Sequence, residues 1–191
     1  MAHDAHAHDD KNNSIFKIAM NLTITCFISG VIIAGTYAIT EPTAAEQRVK
    51  AKNDAMKELV KDAEAFKAID GKEGWYAGIK GGKVIAYVVP ASSKGYGGSI
   101  DMLAAVTPEG KAMDFKVLKH NETPGLGDKM VEPKFRKQFT NKAASDMEVV
   151  KVPTDKNIQA LTGATITSRA VTKGVREAVE AVATYSASQK K

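Results

Sequence analysis

A single cysteine, Cys26, stands in the 191 residues, and it lies inside an apolar run. One thiol cannot build a disulfide framework, an iron–sulfur ligand set or a cysteine-based zinc site, so redox chemistry here needs a bound cofactor. Aromatic residues are scarce at 6%, and the net charge of +5 comes from lysines spread along the chain. Without an arginine-rich stripe or interleaved aromatics, that charge reads as solvation and excludes a nucleic-acid groove. No nucleophile–base pair is apparent, so no residue is assigned as catalytic. The length holds one ordinary domain plus appendages, and two full domains are not expected.

A long apolar run occurs once. From Ile15 to Ile39 only Lys17 is charged, and roughly 20 to 25 such residues match a membrane-spanning helix in contact with lipid. A cleaved signal peptide is the competing reading, because Lys11 and Lys17 precede most of the run and Ala34, Gly35 and Ala38 close it; the run is long for that. Asn21, Thr23, Thr25, Ser29 and Thr36, with Gly30 and Ala34 at four-residue spacing, favour packing on other membrane helices. Residues 1–14, with His3, His6 and His8 among acids, lack hydrophobic periodicity and are expected to be disordered, without a metal site.

Pro42 sits where proline suits a helix start, and Ala45, Val49, Met56, Val60, Ala63 and Phe66 recur at near-helical spacing, so residues 40–70 are expected to form an amphipathic helix. The main domain is placed at 71–186 and a short tail at 187–191. Trp75–Ile79 and Lys83–Val89 flank Gly81-Gly82, and Ile100–Thr107 and Ala112–Leu118 flank Pro108-Glu109-Gly110, a pattern of antiparallel strands. A last helix from about Ser168 to Tyr185 carries Val171, Val175, Ala178 and Val182 as an apolar stripe for core packing. The class is α+β, with an antiparallel sheet and packed helices.

Three segments carry the functional signal. Thr162-Gly163-Ala164-Thr165 precedes Ile166-Thr167-Ser168 and the last helix, placing a hydroxyl at a helix N-terminus where unpaired N–H groups and the helix dipole favour a phosphate. The plain alternative is a helix cap at Thr162 or Thr167. Gly95-Tyr96-Gly97-Gly98 lies between strands, where glycines let the backbone approach another segment or a flat ligand, or simply make a flexible turn. His120-Asn121-Glu122-Thr123-Pro124-Gly125-Leu126-Gly127 ends a strand with polar groups, a proline turn and one apolar side chain.

In order and spacing these segments resemble the FMN-binding domain shared by the G subunit of Rnf complexes and the C subunit of the sodium-pumping NADH:quinone oxidoreductase. The resemblance spans nearly the whole chain, and the compact length favours the Rnf subunit. It implies FMN joined through its phosphate to Thr165, with Thr162, Gly163 and Ala164 shaping the turn and Thr167 and Ser168 near phosphate or ribityl oxygens. Glu122, Thr123, Gly125 and Leu126 would border the isoalloxazine ring, with Tyr96 and Gly97 nearby. His120 is weighed as a structural strand-end histidine, and Lys129 and Arg169 as offsets to the phosphodiester charge or ordinary surface residues. One departure is visible: the acidic residue usual six positions before the attachment threonine is Gln159 here, and Asp155 is out of register.

The resemblance further implies an electron relay within a complex that couples ferredoxin:NAD electron transfer to sodium or proton movement. Its partners are the other Rnf subunits and a flavin-attaching transferase. A cytoplasmic N-terminus and an extracytoplasmic flavin domain in a bacterial inner membrane are implied too, although Arg48, Lys50, Lys52 and Lys57 after the span lean the other way. A membrane-tethered FMN sensor and an assembly scaffold are the rival readings.

Overall fold

The computed structural model describes residues 5–189, with side chains of the first helix described from residue 15. The chain divides into two units, Met1–Lys50 and Ala51–Lys191. Helix α1 runs Ala5–Leu59, with Pro42 inside it. It therefore begins within the stretch expected to be disordered, while His3 lies outside the described residues and the side chains of His6 and His8 are not described.

In the first unit the apolar part of α1 is exposed along its length, and an 18-residue window has mean hydropathy 1.9, long and apolar enough to cross a membrane. Its threonines do not leave their hydroxyls open. Thr23, Thr25, Thr36 and Thr40 each donate to the carbonyl four residues back at 2.8–2.9 Å, which satisfies them inside the helix itself.

The second unit is built on a five-stranded antiparallel sheet in simple chain order, β1 (Ala65–Ala68), β2 (Tyr76–Lys80), β3 (Lys83–Lys94), β4 (Ser99–Val106) and β5 (Ala112–Lys119). The expected strands are present, and β3 is longer than expected. Short β6 (Val149–Val150) and β7 (Ile158–Gln159) pair in parallel, α2 is Pro133–Arg136, and α3 is Thr165–Gln189. The amphipathic helix expected over 40–70 differs from what is found: α1 continues unbroken through Pro42 and stops at Leu59, and Phe66 lies in β1. Tertiary pairing overrides the helical pattern there, because Phe66 sits opposite Gly78 in the β1–β2 register and a Cβ at Gly78 would touch Val60, Ala63 and Phe66 at 3.4–3.5 Å.

Strand β4 shows why the sheet is covered twice. Its residues Ile100 and Met102 to Val106 are all buried, and alternate ones serve opposite faces. Met102, Ala104 and Val106 join Val171, Val175 and Val182 of α3 in one core, while Leu103 and Ala105 join Ala55, Met56, Leu59 and Val60 in another. Near its C-terminal end α3 is fixed by edge-on contacts of Tyr185 with Trp75 and Tyr87, ring centroids 5.7 and 5.6 Å apart. The sheet thus holds α3 from Ala170 onward and leaves its first turn to meet the loops.

Candidate functional site

The first turn of α3 is shaped locally. Gly163 has φ 77°, a conformation glycine adopts without steric cost, and the Ala164 amide donates to the Leu161 carbonyl at 3.0 Å. Ser168, fully buried, completes the turn: its Oγ accepts the Leu161 amide at 2.9 Å and donates to the Ala164 carbonyl at 2.9 Å. Ser168 thus ties the start of the helix to the segment before it, and among the described residues neither the Thr162 nor the Thr167 hydroxyl accepts a helix amide. This turn presents Thr165 half-buried as the first helical residue, and among the described residues its hydroxyl takes no hydrogen bond. Thr167 is different: only 1% exposed, its hydroxyl donates to Glu122 Oε2.

Two further loops face that turn. After β5 the chain winds around the Thr123 carbonyl, which accepts the amides of Leu126 and Gly127 at 3.2 and 3.1 Å. This winding places Leu126 against the turn, where a Cβ at Gly163 would lie 3.0 Å from Leu126 Cδ2. Between β3 and β4 the Gly95 amide donates to the Gly98 carbonyl at 2.7 Å and the Gly97 amide to Glu122 Oε1 at 2.9 Å, leaving Tyr96 72% exposed.

The three segments enclose a cavity of about 640 Å³. Tyr96 lines it from the first loop, Glu122, Thr123, Leu126 and Gly127 from the second, and Gly163 to Thr167 from the third. Three of its lining side chains, Tyr96, Leu126 and Ile166, are exposed aromatic or aliphatic groups, and Thr165 lines it at the N-terminus of α3. The volume falls in the range of pockets for drug-sized ligands or cofactors, roughly 300–1,000 Å³.

Eight of the residues singled out in the sequence come together here, whereas Thr162, Ser168, Gly125 and Gly97 do not line the cavity. Thr162 and Gly125 are exposed in turns, Ser168 is consumed in holding the α3 turn, and a Cβ at Gly97 would strike the Asn121 carbonyl oxygen. Gly97 thus admits the Asn121–Glu122 backbone and Gly95 the Glu122 side chain. His120 also has a structural contact, its Nδ1 accepting the Glu122 amide at 3.2 Å. Lys129 and Arg169 lie outside the lining. Gln159 lies in β7, its backbone clamped by Gln138 at 2.7 and 3.3 Å, and Asp155 is exposed. Ile166 and Gly127 are additions; Ile166 could have been found as an apolar residue lying off the α3 stripe, and it is 55% exposed.

A family described as an FMN-binding domain matches residues 95–180, the stretch that contains all three cavity segments. The G subunit of the proton-translocating ferredoxin:NAD(+) oxidoreductase complex of Clostridium ljungdahlii is 59% identical over 94% of this chain and 97% of its own length. The chain belongs to the family of G subunits of these complexes. Its counterpart in the Na(+)-translocating complex of Acetobacterium woodii is 31% identical over 87% of this chain and 90% of its own. The crystal structure of NqrC from Shewanella oneidensis shares the fold, with TM-score 0.50 and 22% identity over 62% of this chain and 66% of that one.

Proposed function

We propose that this member of the G-subunit family carries FMN joined by a phosphoester to Thr165 and relays electrons within a membrane-bound complex. That complex would couple electron transfer between ferredoxin and NAD to sodium or proton translocation. The observation that carries the reading is the contrast at the α3 turn: Thr165, whose hydroxyl takes no hydrogen bond among the described residues, lines a cavity with Tyr96, Leu126 and Ile166 beside the N–H groups of a helix N-terminus, whereas the Thr167 hydroxyl is bound to Glu122. The residues fit the cofactor. A flat apolar ring suits Tyr96, Leu126 and Ile166, and a phosphate suits the first turn of α3, where it gains from unpaired amides and the dipole.

FMN supplies one- and two-electron redox chemistry, which the side chains of this protein lack. The protein's part is attachment and placement. Thr165 Oγ would form the new bond to phosphorus while its proton leaves to a solvent base. The bond lost would be that between the same phosphorus and the AMP half of a flavin dinucleotide, presented by a flavin-attaching transferase. Gly163 and Ala164 keep the approach to Thr165 open, and Thr162 borders it. Thr123 and Leu126 would flank the ring, with Gly125 permitting the turn between them. Arg169, one turn along α3 from Thr165, and Lys129 would offset the phosphodiester charge.

The exposed apolar stretch of α1 supports anchoring in a membrane beside other subunits of the complex. A bacterial cytoplasmic membrane, with the N-terminus cytoplasmic and the flavin domain outside, is the arrangement that the family resemblance implies. The test is flavin fluorescence on a denaturing gel of protein purified from its native membrane. A fluorescent band that disappears in Thr165→Ala is expected, and a native band without fluorescence would overturn the covalent reading.

A further inference from the structure

Glu122 is the one buried carboxylate side chain at the cavity, 6% exposed, and its two oxygens are committed in different directions. Oε1 accepts the Gly97 amide at 2.9 Å, and Oε2 accepts the Thr167 hydroxyl. These partners lie 25 and 45 residues away in sequence. No cation is among them, so the two hydrogen bonds carry the compensation that a buried carboxylate requires.

The surrounding glycines make the socket for this group. A Cβ at Gly95 would collide with Glu122 Oε1, and a Cβ at Gly127 would lie 2.8 Å from both Glu122 Oε2 and Thr167 Oγ1. Space in both loops is therefore kept for the carboxylate. The backbone of Glu122 is fixed as well, through its amide to His120 Nδ1 at 3.2 Å.

We infer that Glu122 is a positioning residue that sets the spacing of the cavity walls, acting through Gly97 and Thr167 and not as a ligand of the flavin. Gly97 follows Tyr96, Thr167 is two residues beyond Thr165, and Glu122 precedes Thr123 and Leu126. One carboxylate thus locates three wall segments relative to each other. This inference rests on the flavin reading for its consequence, the orientation of the ring, although the tie itself belongs to the protein.

The test uses the full chain in its native complex, with Glu122→Gln, Thr167→Val and Thr167→Ser. Two readouts are taken after flavin content: visible circular dichroism of the bound flavin and hydrogen exchange at the Gly97 amide. Glu122→Gln exchanges a charge-assisted bond for a neutral one, so Gly97 exchange should quicken by about tenfold, and the dichroism should change while Thr165 remains loaded. Unchanged exchange and dichroism in Glu122→Gln would overturn the inference. Should that variant fail to fold, the threonine pair decides: altered dichroism in Thr167→Val with wild-type behaviour in Thr167→Ser supports the tie, and two variants indistinguishable from wild type refute it. Wild-type protein without flavin would remove the flavin assignment alone, since Gly97 exchange in the unloaded chain still tests the tie.

Discussion

The two walls of the cavity are held together by different means. The α3 wall is local: Leu161, Ala164 and Ser168 close its turn through hydrogen bonds spanning no more than seven residues. The opposite wall is not, because its 95–98 and 120–127 loops are joined by the Gly97 amide on Glu122, 25 residues apart, and Glu122 also reaches across to Thr167 on the α3 wall. A local turn keeps its geometry when the other wall is disturbed, whereas the long-range wall depends on every partner being in place. This difference separates chemistry from placement: the Thr165 hydroxyl sits on the wall whose own turn is closed locally, and the apolar lining side chains Tyr96, Leu126 and Ile166 are split between both.

The sharpest test of this division is at Thr165. Thr165→Ala should abolish covalent flavin completely while leaving thermal unfolding nearly unchanged, because no bond within the described residues uses that hydroxyl. Thr165→Ser should retain labelling. If Thr165→Ala also unfolded the domain, the α3 wall would not be independent of its hydroxyl.

A smaller but broader effect is expected at Gly97. A Cβ there meets the Asn121 carbonyl carbon at 2.7 Å, backbone that cannot swing aside as a flexible side chain would. Gly97→Ala should cost roughly 1–3 kcal/mol of overpacking, seen as a lower unfolding temperature, and should reduce flavin loading with Thr165 intact. Ser168→Ala tests the local wall in the same currency. It leaves the Leu161 amide without its acceptor, worth about 1–3 kcal/mol, and should lower stability with the Gly97 amide still protected.

The sequence exposes these two walls unequally. The strands of the sheet and α3 follow from hydrophobic period and turn residues, and the local turn around Gly163 is legible because its partners are neighbours in the chain. Thr165 and Thr167, by contrast, look alike in sequence, and only the fold brings Glu122 to one of them. The same long-range effect hides the end of α1, where Ala63 and Phe66 keep a helical spacing but are captured by β2. Gly95 and Gly97 show the limit most plainly: glycine in a loop signals close approach, without saying that the approaching group is the protein's own Asn121–Glu122 segment.

A change outside both walls should leave their difference untouched, and Glu58, which does not line the cavity, provides it. Near the end of α1, Glu58 meets Lys116 Nζ at 2.7 Å and Arg136 Nη1 at 3.1 Å, and Arg136 also grips Asp114. The hydrogen bond from Lys116 is the chief cause holding the Glu58 carboxyl below its ordinary value, with burial opposing it and Arg136 adding to it. A depressed folded-state value means that the contribution is fully present above the ordinary glutamate range and is lost as pH falls through the folded value. Glu58→Gln should therefore flatten that part of the acid-unfolding curve. With the Glu58 side chain 41% exposed, solvent screening keeps the effect to about 1 kcal/mol or less. Unfolding followed against pH in wild type and Glu58→Gln checks this, and flavin content at neutral pH should be equal in the two. A loss of flavin in Glu58→Gln would mean that the ion pairs at the end of α1 reach the cavity, and that the walls are less separate than their hydrogen bonds make them.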